Sequence, residues 1–419
     1  MESPTETPNL GQPYIYGSGN EGKFLTYAGV ACLILAVLLA GGVAFYNSQK
    51  RQTPIVFSNY QLLQETWNQY KIQNLEPGTG RTLDKQRKNV TTSEGEGYTM
   101  LRAVWQDDQK TFDTSWKWTK DNLHRPNDHL SSWLFGERPD GSYGVVTEQG
   151  GINNATDGDT DMAVALLFAA SRWNRSDYLA DSQAVIADIW KLDVVTIKDK
   201  PFLTADNLES QSLTDVVINP SYFAPYAYRM FAQVDRTHDW LGVIDSSYAL
   251  LDQSLTLPVP SGPVVGLVPD WLVINKTTGK LSAPASPLTD NSGYDAMRVP
   301  WRLALDSLWY QEPRARQTLM HFSFLATEWN AHKSLSSIYK RDGMVIGSEE
   351  SPAMYGASMG YFLIVHPDLA KEIYESKLTP LYSPSKQGWT ANLSYYDDNW
   401  AWFGISLYNQ QLPNLFKAP

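Results

Sequence analysis

Residues 155–173 read ATDGDTDMAVALLFAASRW, and the helical class of the fold is clearest here. From Met162 onward, apolar residues recur at i, i+3, i+4, i+7, i+8 and i+11, the spacing of an amphipathic α-helix. Asp157, Asp159 and Asp161 precede this pattern, where acidic side chains suit the positive end of the helix dipole. Capping needs at most two of them, and three close carboxylates repel one another. We therefore expect something polar to bind at this helix entrance.

The same helical spacing recurs along the chain on both sides of this stretch. Helices are predicted near residues 59–74, 94–106, 109–123, 162–173, 178–191, 221–234, 241–255, 293–309, 314–332, 350–376 and 395–409. The segment 256–289 is rich in proline, which excludes a continuous helix there. No charge run, low-complexity tract or repeat marks a second boundary, so we predict one all-α domain over residues 59–419.

Composition and charge exclude several classes of function. The chain has 419 residues and a formal net charge of −11, without the clustered positive charge that a nucleic-acid binder needs. Its one cysteine, Cys32, excludes an intrachain disulfide and a thiolate metal site. The six histidines show no metal-binding spacing and no phosphate-binding loop is present, so we predict neither a metal nor a cofactor. Fifteen tryptophans and 23 tyrosines favour a surface that stacks on a flat ligand such as a sugar.

The N-terminal region predicts a membrane anchor. Residues 1–22 read as a disordered tail, 23–47 as a single transmembrane helix and 48–58 as a linker. Phe24 to Tyr46 contains no charge and is long enough to cross about 30 Å of hydrocarbon. The alternative is a cleavable signal peptide, whose apolar part is usually about 7 to 15 residues. Lys23 precedes the span while Lys50 and Arg51 follow it, which by the positive-inside rule favours a cytoplasmic domain.

A second acidic segment, SEGEGY at residues 93–98, lies just ahead of an apolar run. Its glycines let a ligand approach the backbone closely. One interpretation is helix capping, in which Ser93 and Glu96 form a capping box. The other is a functional carboxylate. Glu94 and Glu96 are about 200° apart on a helix, so only one of them can face a given cleft.

A third acidic segment covers residues 293–302, with the sequence GYDAMRVPWR. Asp295 and Arg298 are three residues apart, which is compatible with a simple ion pair. An acid beside Tyr294, Arg298 and Trp301 is equally compatible with a buried, oriented base whose pKa is tuned by its surroundings. Both interpretations stay open at this point.

Together these three segments resemble glycoside hydrolase family 8, which comprises bacterial endoglucanases and some xylanases and chitosanases. Residues 155–173 fit the family signature at every fixed position. Residues 93–98 are similar to the family segment Ser-Glu-Gly-x-Gly-Tyr, and residues 294–301 to the base-carrying segment of the endoglucanase branch. Residues 219–225 and 266–271 are also family-like. Thr99 replaces the usual small residue, and the position of the base differs among branches of the family.

The resemblance implies an (α/α)6 barrel of six inner and six outer helices, with the acids at one mouth. It implies that Glu94 is the proton donor, that Asp295 activates water and that the reaction inverts the anomeric centre. Asp157 is assigned to gripping the sugar beside the scissile bond. The residues predicted to bind substrate along an open groove are Tyr98, Trp133, Tyr222, Trp271, Tyr294, Arg298, Trp301 and Tyr396.

The expected substrate is a β-glucan such as cellulose, cleaved at internal β-1,4 bonds. Xylan or chitosan would use the same acids in a different groove. A non-catalytic glycan-binding component of a polysaccharide secretion complex would predict a damaged acid or base, yet both are present. An exported polymer implies a cell-membrane protein whose domain lies outside the cytoplasm, with a cellulose or exopolysaccharide synthesis complex as a partner. The charge difference across the apolar span is only one residue, so the expected orientation of the domain follows from this function instead.

Overall fold

Residues 59–260 and 262–419 are described by the computed structural model, and their chain forms mainly α-helices. Thirteen α-helices occur within these ranges. They are α1 (Asn59–Asn74), α2 (Ser93–Trp105), α3 (Gln109–Asn122), α4 (Thr156–Trp173), α5 (Ser176–Asp193), α6 (Pro225–Val234), α7 (Trp240–Thr256), α8 (Val299–Tyr310), α9 (Pro313–Met320), α10 (Ser323–His332), α11 (Pro352–Val365), α12 (Pro367–Ile373) and α13 (Tyr395–Tyr408).

Six of these helices form a closed inner ring. In the order α2, α4, α6, α8, α11, α13, each helix contacts the next, and α13 returns to α2. Each inner helix also packs against an outer one, namely α3, α5, α7, α9, α12 and α1 in the same order. This pairing is consistent with an (α/α)6 barrel. Because each outer helix brings the chain back, the inner helices all begin at the same end of the ring.

The inner helices approach each other closely where glycine replaces a side chain. A Cβ atom on Gly356 of α11 would lie 1.9 Å from the carbonyl oxygen of Trp400 on α13. A Cβ atom on Gly360 would lie 2.1 Å from the carbonyl oxygen of Pro300 on α8. Only glycine therefore permits this packing of α11 between its two neighbours.

The last residues of the chain cover the far end of the ring, where the inner helices finish. The indole of Trp105, at the end of α2, donates to the carbonyl of Pro413 at 3.1 Å. The indole of Trp309, near the end of α8, donates to the carbonyl of Leu412 at 2.9 Å. The first residue of α1 lies at this same end, because Asn59 donates to Asn409 after α13.

Short strands occupy the connections, which the all-α prediction did not include. They form two three-stranded antiparallel sheets and three two-stranded ones in the described part of the chain. The strands are β1 (Thr91–Thr92), β2 (Leu134–Glu137), β3 (Tyr143–Val145), β4 (Val194–Ile197), β5 (Lys200–Leu203), β6 (Asp215–Ile218), β7 (Leu272–Asn275), β8 (Leu281–Ser282), β9 (Ile338–Tyr339), β10 (Val345–Gly347), β11 (Tyr382–Ser383) and β12 (Gly388–Trp389). Strand β1 leads directly into α2 and thereby fixes where that helix begins.

Two predicted helices are each divided in the structure. The helix predicted for 350–376 breaks after Val365, because Pro367 has no N–H to continue the hydrogen-bond series. The helix predicted for 314–332 breaks at His321 and Phe322, where the loop at Gly266 packs directly on the His321 carbonyl. The helix predicted to begin at 293 begins at Val299, after a turn and a short 3-10 segment.

The predicted tail, transmembrane anchor and linker, residues 1–22, 23–47 and 48–58, lie outside the described residues. Among residues 59–260 and 262–419, every helix is too short or too polar to cross a bilayer.

Candidate active site

Three carboxylates converge at the end of the ring where the inner helices begin. Glu94 is the second residue of α2, Asp157 is the second residue of α4, and Asp295 lies in the turn before α8. All three contact the guanidinium of Arg298. Its Nη1 lies 2.5 Å from Oε2 of Glu94 and 2.9 Å from Oδ2 of Asp157, and its Nη2 lies 2.5 Å from Oδ1 of Asp295.

Two glycines bring the first turns of α2 and α4 together. A Cβ atom on Gly158 would lie 2.6 Å from Oγ of Ser93 and 2.9 Å from the backbone nitrogen of Glu94. A Cβ atom on Gly97 would lie 3.2 Å from Cβ of Asp161. The helices can approach this closely only without side chains at these positions, which is how Glu94 and Asp157 reach one guanidinium.

Arg298 is fully buried and is surrounded by polar groups. Besides the three carboxylates, it donates to Oγ of Ser221 at 2.7 Å and to the hydroxyl of Tyr98 at 3.2 Å. The ring of Tyr222 lies against its guanidinium. One positive charge thus faces three carboxylates, so the group would carry an excess of negative charge if all three were ionised.

This imbalance bears most on Glu94. Burial raises the pKa of Glu94 to about 7, Arg298 opposes that shift, and the charges of Asp157 and Asp295 add to it. The short contact with Arg298 alone would favour the ionised form, but that arginine is shared among three acids and cannot neutralise them all. Tyr395 donates a hydrogen bond to the other oxygen of Glu94 at 3.1 Å. Glu94 is therefore suited to hold a proton near neutral pH.

The three carboxylates differ in their access to solvent. The side chains of Glu94 and Asp295 are 19% and 31% exposed, whereas that of Asp157 is 2% exposed. Burial also raises the pKa of Asp157, while Arg298 and Arg302 oppose the shift. Glu94 and Asp295 can thus meet a ligand from outside, and Asp157 forms the floor beneath them.

The capping box predicted for Ser93 and Glu96 is wrong. Thr92 caps α2 instead, accepting a hydrogen bond from the backbone N–H of Gly95 at 3.1 Å. Glu96 is buried, and it accepts from the backbone N–H of Thr82 at 2.7 Å and from Oγ of Ser115 at 2.5 Å. The two glutamates therefore have different partners: Glu96 contacts Thr82 and Ser115, whereas Glu94 contacts Arg298 and Tyr395.

The three aspartates of α4 have three different sets of partners. Asp157 contacts Arg298, whereas Asp161 binds both nitrogens of Arg302 at 2.8 and 2.9 Å. Asp159 turns away and accepts from the backbone N–H of Ser131 and the amide of Asn154. The expectation that Asp157 and Asp161 share a face agrees with this arrangement, since both point at α8.

Three of the predicted groove-lining rings are buried. Trp301 is only 2% exposed, and its ring packs among Trp105, Trp400 and Phe403. The groove-lining prediction is therefore corrected for Trp301, which faces the interior of the ring of helices. The ring of Tyr98 is buried as well, and only its hydroxyl reaches the site. Tyr222 is nearly covered by Arg298 and by the edge of Trp271.

The other predicted rings lie where a ligand can reach them. Tyr294 is 41% exposed, and its carbonyl accepts the hydroxyl of Tyr396 at 2.5 Å. This contact joins the turn of Asp295 to the first turn of α13. Trp271 and Trp133 are partly exposed, and the indole of Trp133 is held by the carbonyl of Gly150 at 3.1 Å.

Sequence reasoning did not single out Ser221, Asp270 or Tyr395. Ser221 and Asp270 lie in the family-like stretches 219–225 and 266–271, which carried a signal without a role. Tyr395 adjoins Tyr396, and only the packing shows which of the two hydroxyls contacts Glu94. In the described ranges, no group of three His, Cys, Asp or Glu side chains is arranged to hold a metal ion.

A sequence model of the glycosyl hydrolases family 8 matches residues 46–402 of this chain. The chain belongs to that family. Its (α/α)6-like ring, with acids at the end where the inner helices begin, agrees with this membership.

Individual proteins give the same result. The chain is 32% identical over 265 residues to Endoglucanase 2 of Ruminiclostridium josui. This alignment covers 61% of this chain and 52% of that protein. It is 29% identical over 377 residues to Endoglucanase A of Acetivibrio thermocellus, covering 83% and 73% of the two chains. The solved endo-beta-1,4-glucanase of Acetobacter xylinum superposes with a TM-score of 0.65 at 24% identity, covering 84% and 99%. The chain spans about half to two thirds of the length of the first curated relatives.

Proposed function

We propose that this protein is a glycosidase that cleaves internal β-1,4-glucosidic bonds of cellulose or a related β-glucan by an inverting mechanism. One observation carries the proposal: two partly exposed carboxyl groups, Glu94 and Asp295, share one mouth and one arginine. Membership of family 8 and the endoglucanase names of the relatives support the same reaction.

In this mechanism Glu94 is the general acid and Asp295 the general base. Glu94 gives its proton to the glycosidic oxygen as the bond from that oxygen to the anomeric carbon breaks. Asp295 takes a proton from a water molecule as the water oxygen bonds to the same carbon from the opposite face. The raised pKa of Glu94 supports the first role, because an acid must be protonated to act. An inverting enzyme needs its carboxyl groups about 6.5 to 9.5 Å apart, so that a water molecule fits between the base and the sugar. The Arg298 guanidinium contacts both carboxyl groups.

Asp157 is proposed to hold the sugar whose anomeric carbon reacts. It lies beneath the other two acids and is fixed by Arg298 and by the backbone N–H of Gly158. A buried carboxylate accepts hydrogen bonds from sugar hydroxyls that strengthen as positive charge develops on the ring. Trp133, Trp271, Tyr294 and Tyr396 are proposed to line the groove on either side.

The test is reducing-sugar release from carboxymethylcellulose by the chain from Arg51 onward, with xylan and chitosan in parallel. We expect the highest rate on the glucan, a rapid fall in viscosity from internal cleavage, and α-configured new reducing ends by NMR. A preference for xylan or chitosan would leave the roles proposed for the acids unchanged, and would mean that the groove accepts a different polysaccharide. Absence of hydrolysis on all three, with glucan binding retained, would favour the non-catalytic alternative.

The proposal includes attachment to the cell membrane through Phe24 to Tyr46, with the catalytic domain on the extracytoplasmic side. Attachment favours a role on a polymer that the cell itself exports, in contact with a cellulose or exopolysaccharide synthesis complex. Removal of the residues before Arg51 should release a soluble, active domain from the membrane fraction. Retention of the shortened chain in membranes would contradict the anchor, and insolubility of the shortened chain would mean that the anchor is part of the fold.

A further inference from the structure

Asp270 forms hydrogen bonds with the turn that carries the proposed base, Asp295. Its Oδ1 accepts hydrogen bonds from the backbone N–H of Gly293 at 3.0 Å and of Ala296 at 2.8 Å. These two amides flank Tyr294 and Asp295. The backbone N–H of Asp270 in turn donates to the carbonyl of Asn291 at 2.6 Å. One side chain thus holds both ends of the segment that presents Asp295.

Gly293 shows how closely Asp270 fits against this turn. A Cβ atom on Gly293 would lie 3.0 Å from Oδ2 of Asp270 and 3.5 Å from the side chain of Ile338. A contact of 3.0 Å is tighter than ordinary carbon–oxygen packing, so even an alanine would push the turn away from Asp270. The turn is further fixed at Ser292, which exchanges both backbone hydrogen bonds with Tyr339 of β9.

The surroundings of Asp270 do not suit it to act as the base itself. Burial raises its pKa to about 7, with a further contribution from the charge of Asp295, while the two backbone amides and Arg298 oppose the shift. Within residues 59–260 and 262–419 it forms no ion pair, whereas Asp295 contacts Arg298 directly. A neutral Asp270 can still accept both amides through Oδ1.

We propose that Asp270 is a positioning residue, which fixes the turn 293–296 so that the Asp295 carboxylate faces the water attacking the sugar. This rests on the proposed function of Asp295. To hold the turn, Asp270 needs only an acceptor oxygen at Oδ1, and it needs no negative charge. The amide of asparagine supplies such an oxygen, and alanine does not.

The experiment compares Asp270→Asn with Asp270→Ala in the active chain, measuring kcat and KM on the same β-glucan. We expect Asp270→Ala to lower kcat by about ten- to a hundredfold with KM changed by less than about twofold, because a misplaced base slows chemistry more than binding. Asp270→Asn should retain kcat within about threefold of the parent. Equal loss in the two variants would overturn the proposal, as would full kcat in Asp270→Ala.

Asp290→Ala is the matched control. Asp290 lies in the same connection and binds a different partner, Arg341, at 2.8 Å. We expect its kcat to stay within about twofold of the parent even if its thermal stability falls as much as that of Asp270→Ala. A similar loss of kcat in Asp290→Ala would mean that the whole connection is merely destabilised, and would overturn the specific role of Asp270.

Gly293→Ala gives a second measurement, because in the parent it disturbs the same contact while keeping the Asp270 side chain. We expect it to lower kcat several-fold in the parent, and to lower it less in the Asp270→Ala background, where Oδ2 is gone. If the two effects simply multiply, the contact between these residues has no part in catalysis. Asp295→Asn separates the two proposals: if it stays active the base assignment fails, and if it is inactive while Asp270→Ala is active only this inference fails.

Discussion

Two arginines one helical turn apart, Arg298 and Arg302, each pair with an aspartate of α4, yet their surroundings differ sharply. Arg302 forms a one-to-one pair with Asp161 and is otherwise contacted by the hydroxyl of Tyr226 at 3.2 Å. Arg298 faces three carboxylates at once. We call the Arg302–Asp161 pair the lower level and the group around Arg298 the upper level. The lower level is closed to solvent, whereas Glu94 and Asp295 of the upper level are partly exposed.

This difference separates a structural ion pair from a reactive one. A buried pair with balanced charges and two parallel hydrogen bonds needs no proton and joins α4 to α8. In the group around Arg298, burial and the charges of the two neighbouring aspartates raise the pKa of Glu94 to about 7, which favours a proton on that acid. The same Asp and Arg spacing thus supports packing at one level and acid chemistry one turn above it.

The largest effect is expected from breaking the lower pair. Arg302→Met leaves the buried carboxylate of Asp161 without its partner, and we expect the free energy of unfolding to fall by about 3 to 5 kcal/mol. Chemical denaturation measures this loss. Restoring most of the lost stability by adding Asp161→Leu would confirm that the penalty comes from the unpaired charge. A small loss in Arg302→Met would show that the lower level contributes little to the fold.

The next effect is on catalysis at the upper level. Glu94→Gln removes the proposed proton donor, and we expect kcat to fall by at least about a hundredfold with glucan binding largely intact. Glu96→Gln is the matched control, because that side chain lies two residues away and accepts hydrogen bonds from Thr82 and Ser115. Its kcat should stay near that of the parent. Normal turnover in Glu94→Gln would remove the assignment of the acid.

The pH dependence tests the same acid without changing its partners. Since the pKa of Glu94 is raised to about 7, we expect kcat/KM to decline as pH rises through about 7. Stability follows the same sign: an acid with a higher pKa in the folded than in the unfolded chain stabilises the fold less as pH rises from about 4.5 to about 7. The Tm of the parent should therefore fall relative to that of Glu94→Gln between pH 5 and pH 8. An unchanged difference would contradict the raised pKa.

The smallest effect is expected at the rim of the mouth. Trp271→Ala removes a partly exposed ring, and we expect KM to rise about two- to tenfold with little change in Tm, as for the loss of one stacking contact. Trp301→Ala, which empties a buried site, should instead lower Tm strongly. A large fall in Tm for Trp271→Ala would show that this ring stabilises the fold, as the ring of Trp301 does.

The sequence predicts the helices well because the apolar spacing of each helix lies within one continuous stretch of the chain, as in α4 and α7. It does not predict the break at His321, because that break depends on a distant loop packing on a carbonyl. The break after Val365 does have a signal in the sequence, namely Pro367. The motifs indicate which acids matter, but not that one arginine joins them. Fifteen tryptophans suggest stacking, yet composition cannot separate Trp271 at the rim from Trp301 inside, since burial depends on which way each helix faces.

The chain enters the ring of helices at the end opposite the acids, through the contact of Asn59 with Asn409. Anything joined directly ahead of Asn59, whether a fusion partner or an immobilising bead, is attached at the end opposite the proposed acid and base. An N-terminal link to a solid support should thus leave cellulose chains free to enter. A link made through Tyr294 or Tyr396 should obstruct them.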